Sequence, residues 1–115
     1  MSNLLLSFIL MLQFGVKGDI KKTFSQTNVT YIEKRIPERT VLELNGRSMN
    51  VTKEQALLWV QFLMKDQAIV STKVKKNRKT HSCDVTIRFN NGSYIDTAVL
   101  SFEYRKGKIV KIYGK

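Results

Sequence analysis

Apolar and polar residues alternate through the last part of the chain, and the breaks fall on turn-forming residues. Segments at about 68–76, 81–90, 94–104 and 108–113 are therefore predicted as four antiparallel strands, since alternate strand side chains share a face. Asn91-Gly92 suits a two-residue hairpin turn, because both positions need positive φ. Arg105-Lys106-Gly107 suits a three-residue loop with Gly107 left-handed. The Asn-Gly turn sets a register in which Phe89 faces Tyr94, Ile87 faces Asp96, Val85 faces Ala98 and Cys83 faces Leu100. It sets His81 against Phe102. A turn at Arg78-Lys79 adds Val70, Thr72 and Val74 to the same face, and the 105–107 loop adds Val110 and Ile112. That face is apolar almost throughout, as a sheet covered by helices requires. The opposite face pairs Lys73 with Asp84 and turns Ile69, Val99, Ile109 and Tyr113 outward.

Upstream the period changes. Leu4, Leu5, Phe8, Leu12 and Val16 recur at helical spacing, with Ser2 or Asn3 as a cap and Gly15 and Gly18 at the end. Asp19 is placed to cap a short second helix, Ile20 to Phe24. NVTYIEKR, residues 28–35, reads as a first strand. Pro37 interrupts, and Thr40 to Leu44 reads as a second short strand before Asn45-Gly46. Thr52 and Gln55 stand in a capping-box relation at the start of the clearest helix. Ala56, Leu57, Val60, Leu63 and Met64 form its inward stripe, with Trp59 and Phe62 on the flanks.

Composition adds charge to this picture. The 115 residues fit a single domain, 1–115, and the one proline leaves no linker or repeat. Lys and Arg number 20 against 9 Asp and Glu, a net charge of +11. Such an excess attracts polyanions, or simply keeps a protein soluble. One cysteine and one histidine exclude an intrachain disulfide, a cysteine-based zinc site and most multi-histidine metal sites. The apolar run NLLLSFILMLQFGV resembles the core of a secretory signal. It has no preceding Lys or Arg and no A-x-A site, and it is short for a membrane span. A buried amphipathic helix and a cytoplasmic location are the expectation, with no transmembrane segment. No P-loop, G-x-G-x-x-G, HExxH or G-x-S-x-G occurs, which weighs against nucleotide-dependent enzymes, zinc proteases and α/β-hydrolases.

The order helix, Gly18-Asp19, short helix ending in Phe24, strand, long helix and closing meander is similar to that of the nuclear-transport-factor-2-like superfamily. This is the cone fold of SnoaL-like polyketide cyclases and ketosteroid isomerases. VLSFEYRKGKIVKIYG, residues 99–114, resembles the family's final strand, glycine turn and last strand, and Gly46 resembles the glycine before its third helix. The resemblance implies an α+β fold, with N-terminal helices packed on a curved, mostly antiparallel sheet (a cystatin-like cone or roll). It also implies an enclosed pocket, no cofactor, and a homodimer through the open sheet face. A ketosteroid isomerase would carry an acidic base near Ile32 or Glu33, and an acid where Leu100 stands. Its first-helix tyrosine would fall near Phe8, Ile9 or Met11. Leu100 can neither donate a hydrogen bond nor stabilise an enolate, so steroid isomerisation is not expected.

Three site readings follow. Tyr94, Ala98, Leu100, Cys83, Val85 and Trp59 would line a pocket for an apolar small molecule or a protein partner, without established catalysis. Asp96, with Glu33 and Tyr31, would instead serve a cofactor-free cyclase, isomerase or hydrolase, since burial raises a carboxyl's pKa. The bland alternative is an Asp96 hydrated at the rim, Glu33 paired in solvent, and tyrosines that only pack. Third, Lys75, Lys76, Arg78, Lys79, Arg105, Lys106 and Lys108 fall at one end of a meander. There they would form a basic rim for nucleic acid or an acidic partner, although no aromatic interleaves within the run 73–81 to stack bases. Cys83 reads as a small buried hydrophobe.

Overall fold

A computed structural model describes residues 15–65, 68–90 and 92–114. The expected helix over Leu4–Leu12 lies outside them. Helix α1 is described over residues 15–26 and runs straight through Gly18 and Asp19, so no separate second helix begins there. Val16, Ile20 and Phe24 recur every four residues and are buried on its inner side. Thr23, fully buried beside them, donates its hydroxyl to the Asp19 carbonyl at 2.8 Å. Thr27 then takes φ +48° and ends the helix.

The strand expected at 28–35 is absent. Helix α2, Thr30–Glu33, occupies its centre. Asn28 explains the change: its Oδ1 accepts the Thr30 N–H at 3.0 Å, and its own N–H closes on the Thr23 carbonyl at 3.0 Å. These local bonds offer the backbone an alternative to a strand despite the β-branched sequence. Ile32 and Ile36 drop into the core from this segment.

The remaining elements are β1 (Arg39–Leu44), β2 (Arg47–Thr52), α3 (Lys53–Lys65), β3 (Ala68–Asn77), β4 (Ser82–Asn90), β5 (Ile95–Arg105) and β6 (Lys108–Gly114). They build a curved, open sheet in the order β2-β1-β6-β5-β4-β3, in which only β1 and β6 run parallel. Strand β2 goes beyond the expected elements. Asn45 and Gly46 both take positive φ and fold β1 back on it as a hairpin. The capping box is formed as expected, with Thr52 N–H donating to Gln55 Oε1 at 2.9 Å and Gln55 N–H to Thr52 Oγ1 at 3.2 Å. Ala56, Val60 and Met64 are the buried stripe of α3; Leu57, Trp59 and Leu63 are half-buried beside it.

The strand register differs from the expected one by two residues. Asn90 pairs with Ile95, so Phe89 faces Asp96, Ile87 faces Ala98, Val85 faces Leu100 and Cys83 faces Phe102. The connection before β5 is longer than two residues, and Tyr94 lies in it rather than in the strand. A slip of two preserves the face of every side chain, so the apolar face survives. Likewise Asp84 faces Lys75, not Lys73, and His81 lies in the β3–β4 turn at φ +49°. Lys106-Gly107 makes a two-residue turn, both at positive φ.

Two β-bulges correct the outward set. Val70 is the extra residue on β3, which turns it into solvent and Ile69 toward the core. Val110 is the extra residue on β6, which leaves Ile109 fully buried. Of the four outward apolar residues expected, only Val99 and Tyr113 remain. Each bulge also adds local twist and bend to its strand, which suits a curved sheet.

Replacing Thr52 by Ala removes one half of the capping box. It is expected to lower the unfolding free energy by about 1 kcal/mol, read as a reduced midpoint at unchanged slope in urea denaturation.

Candidate functional site

The chain path gives the fold two unlike ends. The turns 78–81 and 106–107 and the start of α3 lie at one; the turn 45–46, the loop residues 92–94 and the end of α3 lie at the other. At the first end the core is sealed. Cys83, Val85, Phe102, Ile109 and Ile112 are fully buried, and Phe102 meets Phe24 of α1 edge-on with centroids 5.9 Å apart. Arg35 ties the α1–α2 corner down there. Its Nε lies 2.8 Å from Asp19 Oδ2, its guanidinium reaches the Gly107 carbonyl at 3.3 Å, and its carbonyl accepts the Ile109 N–H at 2.6 Å.

Burial then falls along each strand. On β4 it passes from Cys83 and Val85 at 0% exposed, through Ile87 at 5%, to a half-buried Phe89. On β5 it passes from Phe102 and Leu100 to half-buried Ala98 and Asp96. Ile69 of β3 pairs with Phe89, and Trp59 and Leu63 of α3 are half-buried against the same core. Among the described residues the concave side is thus closed at one end and more loosely covered at the other. Exposed apolar side chains gather toward the loose end: Phe62 at 74% on the last turns of α3, Val70 after the start of β3, and Tyr94 and Ile95 before β5.

The expected pocket lining splits accordingly. Leu100, Cys83 and Val85 are interior packing, Ala98 lies toward the loose end, Trp59 is half-buried in the middle of α3, and Tyr94 is 59% exposed in its loop. Tyr94 leaves the pocket because the longer loop releases it from the strand. The expected catalytic trio is not brought together. Asp96 accepts the N–H of its neighbour Thr97 at 2.8 Å beside Phe89. Tyr31 and Glu33 sit on α2, not on a strand. Glu33 is exposed, and Tyr31 donates its hydroxyl to Gln26 Oε1 at 2.5 Å while Lys22 covers its ring at 5.7 Å. Lys34, next to Glu33, holds Lys108 Nζ on its carbonyl at 2.8 Å, at the sealed end. Asp96 is nine strand residues from Arg105, roughly 30 Å at the usual rise.

The seven basic residues of the expected rim are all exposed. Lys75 and Lys76 lead into the β3–β4 turn that carries Arg78 and Lys79, while Arg105, Lys106 and Lys108 frame the β5–β6 turn. A bond from the Tyr104 N–H to the His81 carbonyl at 2.9 Å joins the two turns. Lys76 lies 6.0 Å from the Tyr104 ring centroid. On the side of the edge strand β3 is an open groove of about 540 Å³, lined by Lys21, Thr72, Lys73, Val74, Lys75, Asp84, Thr86 and Val99. Asp84 accepts a 2.5 Å hydrogen bond from the buried Ser101 hydroxyl. The Thr72 hydroxyl is buried with no hydrogen-bond partner among the described residues. No His, Cys, Asp or Glu cluster suited to a metal occurs among the described residues, and no helix there is long and apolar enough to cross a membrane.

Helices on a curved six-stranded sheet make the SnoaL-like cone fold, and this chain has that fold. The chain superposes on a protein from Mesorhizobium loti assigned as a SnoaL-like polyketide cyclase with a TM-score of 0.63, at 13% identity over 86% of this chain and 93% of that one. A polyketide cyclase assignment from Pseudomonas putida KT2440 gives 0.62, at 11% identity over 85% and 86%. A DUF4783 family protein from Bacteroides ovatus gives 0.59, at 16% identity over 84% and 90%. At such identities the likeness is one of fold. No protein-family model and no curated protein matches this sequence.

Burial pushes the Cys83 thiol above its ordinary value of 9.0, while Lys76 and Lys17 pull it partly back and Asp84 adds to the rise. The unfolded thiol therefore ionises first as pH rises. No cost to stability exists below pH 9.0, and one accumulates above it. Wild type is expected to lose more stability on passing pH 9 than Cys83→Ala does, by urea denaturation at each pH. The native thiol should resist a disulfide reagent until the chain unfolds.

Proposed function

We propose that this chain is a SnoaL-like binding domain whose loosely covered end takes an apolar small molecule or an apolar segment of a partner, and that it runs no acid–base reaction. The observation that carries this reading is the gradient of burial along β4 and β5, which ends on half-buried Phe89, Ala98 and Asp96, with Ile69 of β3 paired to Phe89. Ligand sites in proteins are concave and mostly apolar, with few polar groups placed to orient what binds. Asp96 is such a group at this end, and the exposed Tyr94 lies in the loop that precedes it. A pair of converging catalytic groups is what acid–base chemistry needs. The distance along β5 from Asp96 to the segment holding Glu33 and Tyr31 speaks for binding over turnover.

A cyclase that uses Asp96 alone is the second reading. It is favoured by the half-buried position of that carboxylate beside Phe89 and by the two structural neighbours assigned as polyketide cyclases. In both readings the same end of the cone receives the ligand.

A neutral apolar dye, Nile red, separates this site from the charged end. Its fluorescence should rise on titration into the protein, with transfer from Trp59. Ala98→Trp, which fills the mouth, is expected to weaken dye binding at least tenfold, and Asp96→Asn to leave it within about threefold. Dye binding unaffected by Ala98→Trp would remove this end as the site.

A further inference from the structure

The edge of the sheet is a second surface, apart from the mouth of the cone. We propose that β3 is a docking edge for an acidic, extended segment of a partner protein, which joins the sheet there as a further strand. β3 stands last in the sheet order, and among the described residues only β4 pairs with it. No other backbone hydrogen bond engages its residues among those described. Past the bulge at Val70 the strand is regular: Ser71 to Asn77 pair with Arg88 to Ser82 without a shift. Such an edge presents unpaired N–H and C=O groups to any chain that lies along it.

The open groove of about 540 Å³ lies on this edge. Four successive residues, Thr72 to Lys75, line it. Successive strand side chains alternate between faces, so a groove that meets all four runs over the unpaired side of β3. It continues onto the outer face to Thr86 and Val99, which follow Lys73 across the register. The Thr72 hydroxyl is buried without a hydrogen-bond partner among the described residues, so a polar group of this lining is still unsatisfied.

Charge selects the occupant. Lys21 of α1 and Lys73 and Lys75 of β3 line the groove, with Asp84, which accepts the Ser101 hydroxyl, as their carboxylate neighbour. No ion pair among the described residues engages these three lysines. The β3 of a second copy, paired antiparallel about Val74, would set Lys73 against Lys75, and like charges directly opposite are destabilising. Acidic side chains at alternate positions of an added strand would meet Lys73 and Lys75 with the favourable sign. The same lysines thus reject a second β3 and admit an acidic strand.

The test is fluorescence anisotropy of the full chain with a labelled peptide of alternating Glu and Val. A peptide of alternating Glu and Pro carries the same charge but cannot donate ladder hydrogen bonds, and should bind weaker by about tenfold or more. A peptide of alternating Lys and Val should not bind. Lys73→Glu with Lys75→Glu should weaken the Glu-Val peptide by about tenfold or more, and Arg105→Gln with Lys106→Asn at the β5–β6 turn by about threefold or less. Amides of residues 71–77 should exchange more slowly with the Glu-Val peptide bound. Equal binding of the Glu-Val and Glu-Pro peptides overturns the proposal, and this comparison needs only the wild-type chain. So does an undiminished Lys73/Lys75 variant with an unchanged thermal midpoint. Binding of single-stranded DNA with none of either acidic peptide would overturn it by assigning the lysines to nucleic acid. Displacement of Nile red by the Glu-Val peptide would overturn it by moving the peptide to the mouth; Nile red binding is otherwise independent of these results.

Discussion

The structure depends on one packing constraint: the concave face of β4 and β5 must be roofed where it is most apolar. Cys83, Val85, Leu100 and Phe102 lie side by side in the register, and α1 covers them with Val16, Ile20 and Phe24 at four-residue spacing. Fully burying one such side chain contributes about 1.5–3 kcal/mol. Among the described residues the roof is pinned at one end, by the Asp19–Arg35–Gly107 chain and by the backbone bond from Ile109 to Arg35. Tight closure at that end and loose cover at the other are two results of the same arrangement.

That asymmetry sorts the functional residues. Among the described residues the core at the sealed end is fully buried, and the surface that this end presents is cationic. The other end keeps apolar groups half-exposed and holds Asp96 among them. A carboxylate on an oily strand face fits once the face is read along its length: Asp96 occupies the part that the helices cover least, where water still reaches it.

Much of this was legible in the sequence. Alternation and turn residues located all four meander strands, and the Thr52/Gln55 box located α3. The face of each residue in β4 and β5 was right even though the pairing slipped by two, because period-2 alternation is blind to an even shift. Legibility failed where a local backbone event outweighs pattern. A bulge moves one residue and reverses the sides of its neighbours, which is why Ile69 and Ile109 point inward. At 28–35 the side chain of Asn28 started a helical turn in a stretch whose composition favours a strand. The alternation after Asn45-Gly46 that marks β2 was present in RSMNVT but weak, because most of that edge strand is exposed. For the candidate site, the exposure of the seven basic residues around two turns was readable from turn positions. The separation of Asp96 from Glu33 and Tyr31 was not, because it depends on where α2 docks.

Amide hydrogen exchange followed by NMR tests the central claim most directly, since local opening free energies follow burial and cover. The account predicts the slowest exchange at hydrogen-bonded amides of residues 83–86 and 100–103. Amides in the same strands at 88–90 and 95–97 should exchange markedly faster. Uniform protection along β4 and β5, or the slowest exchange at the 89/96 end, would contradict a cone sealed at its basic end and open at the other.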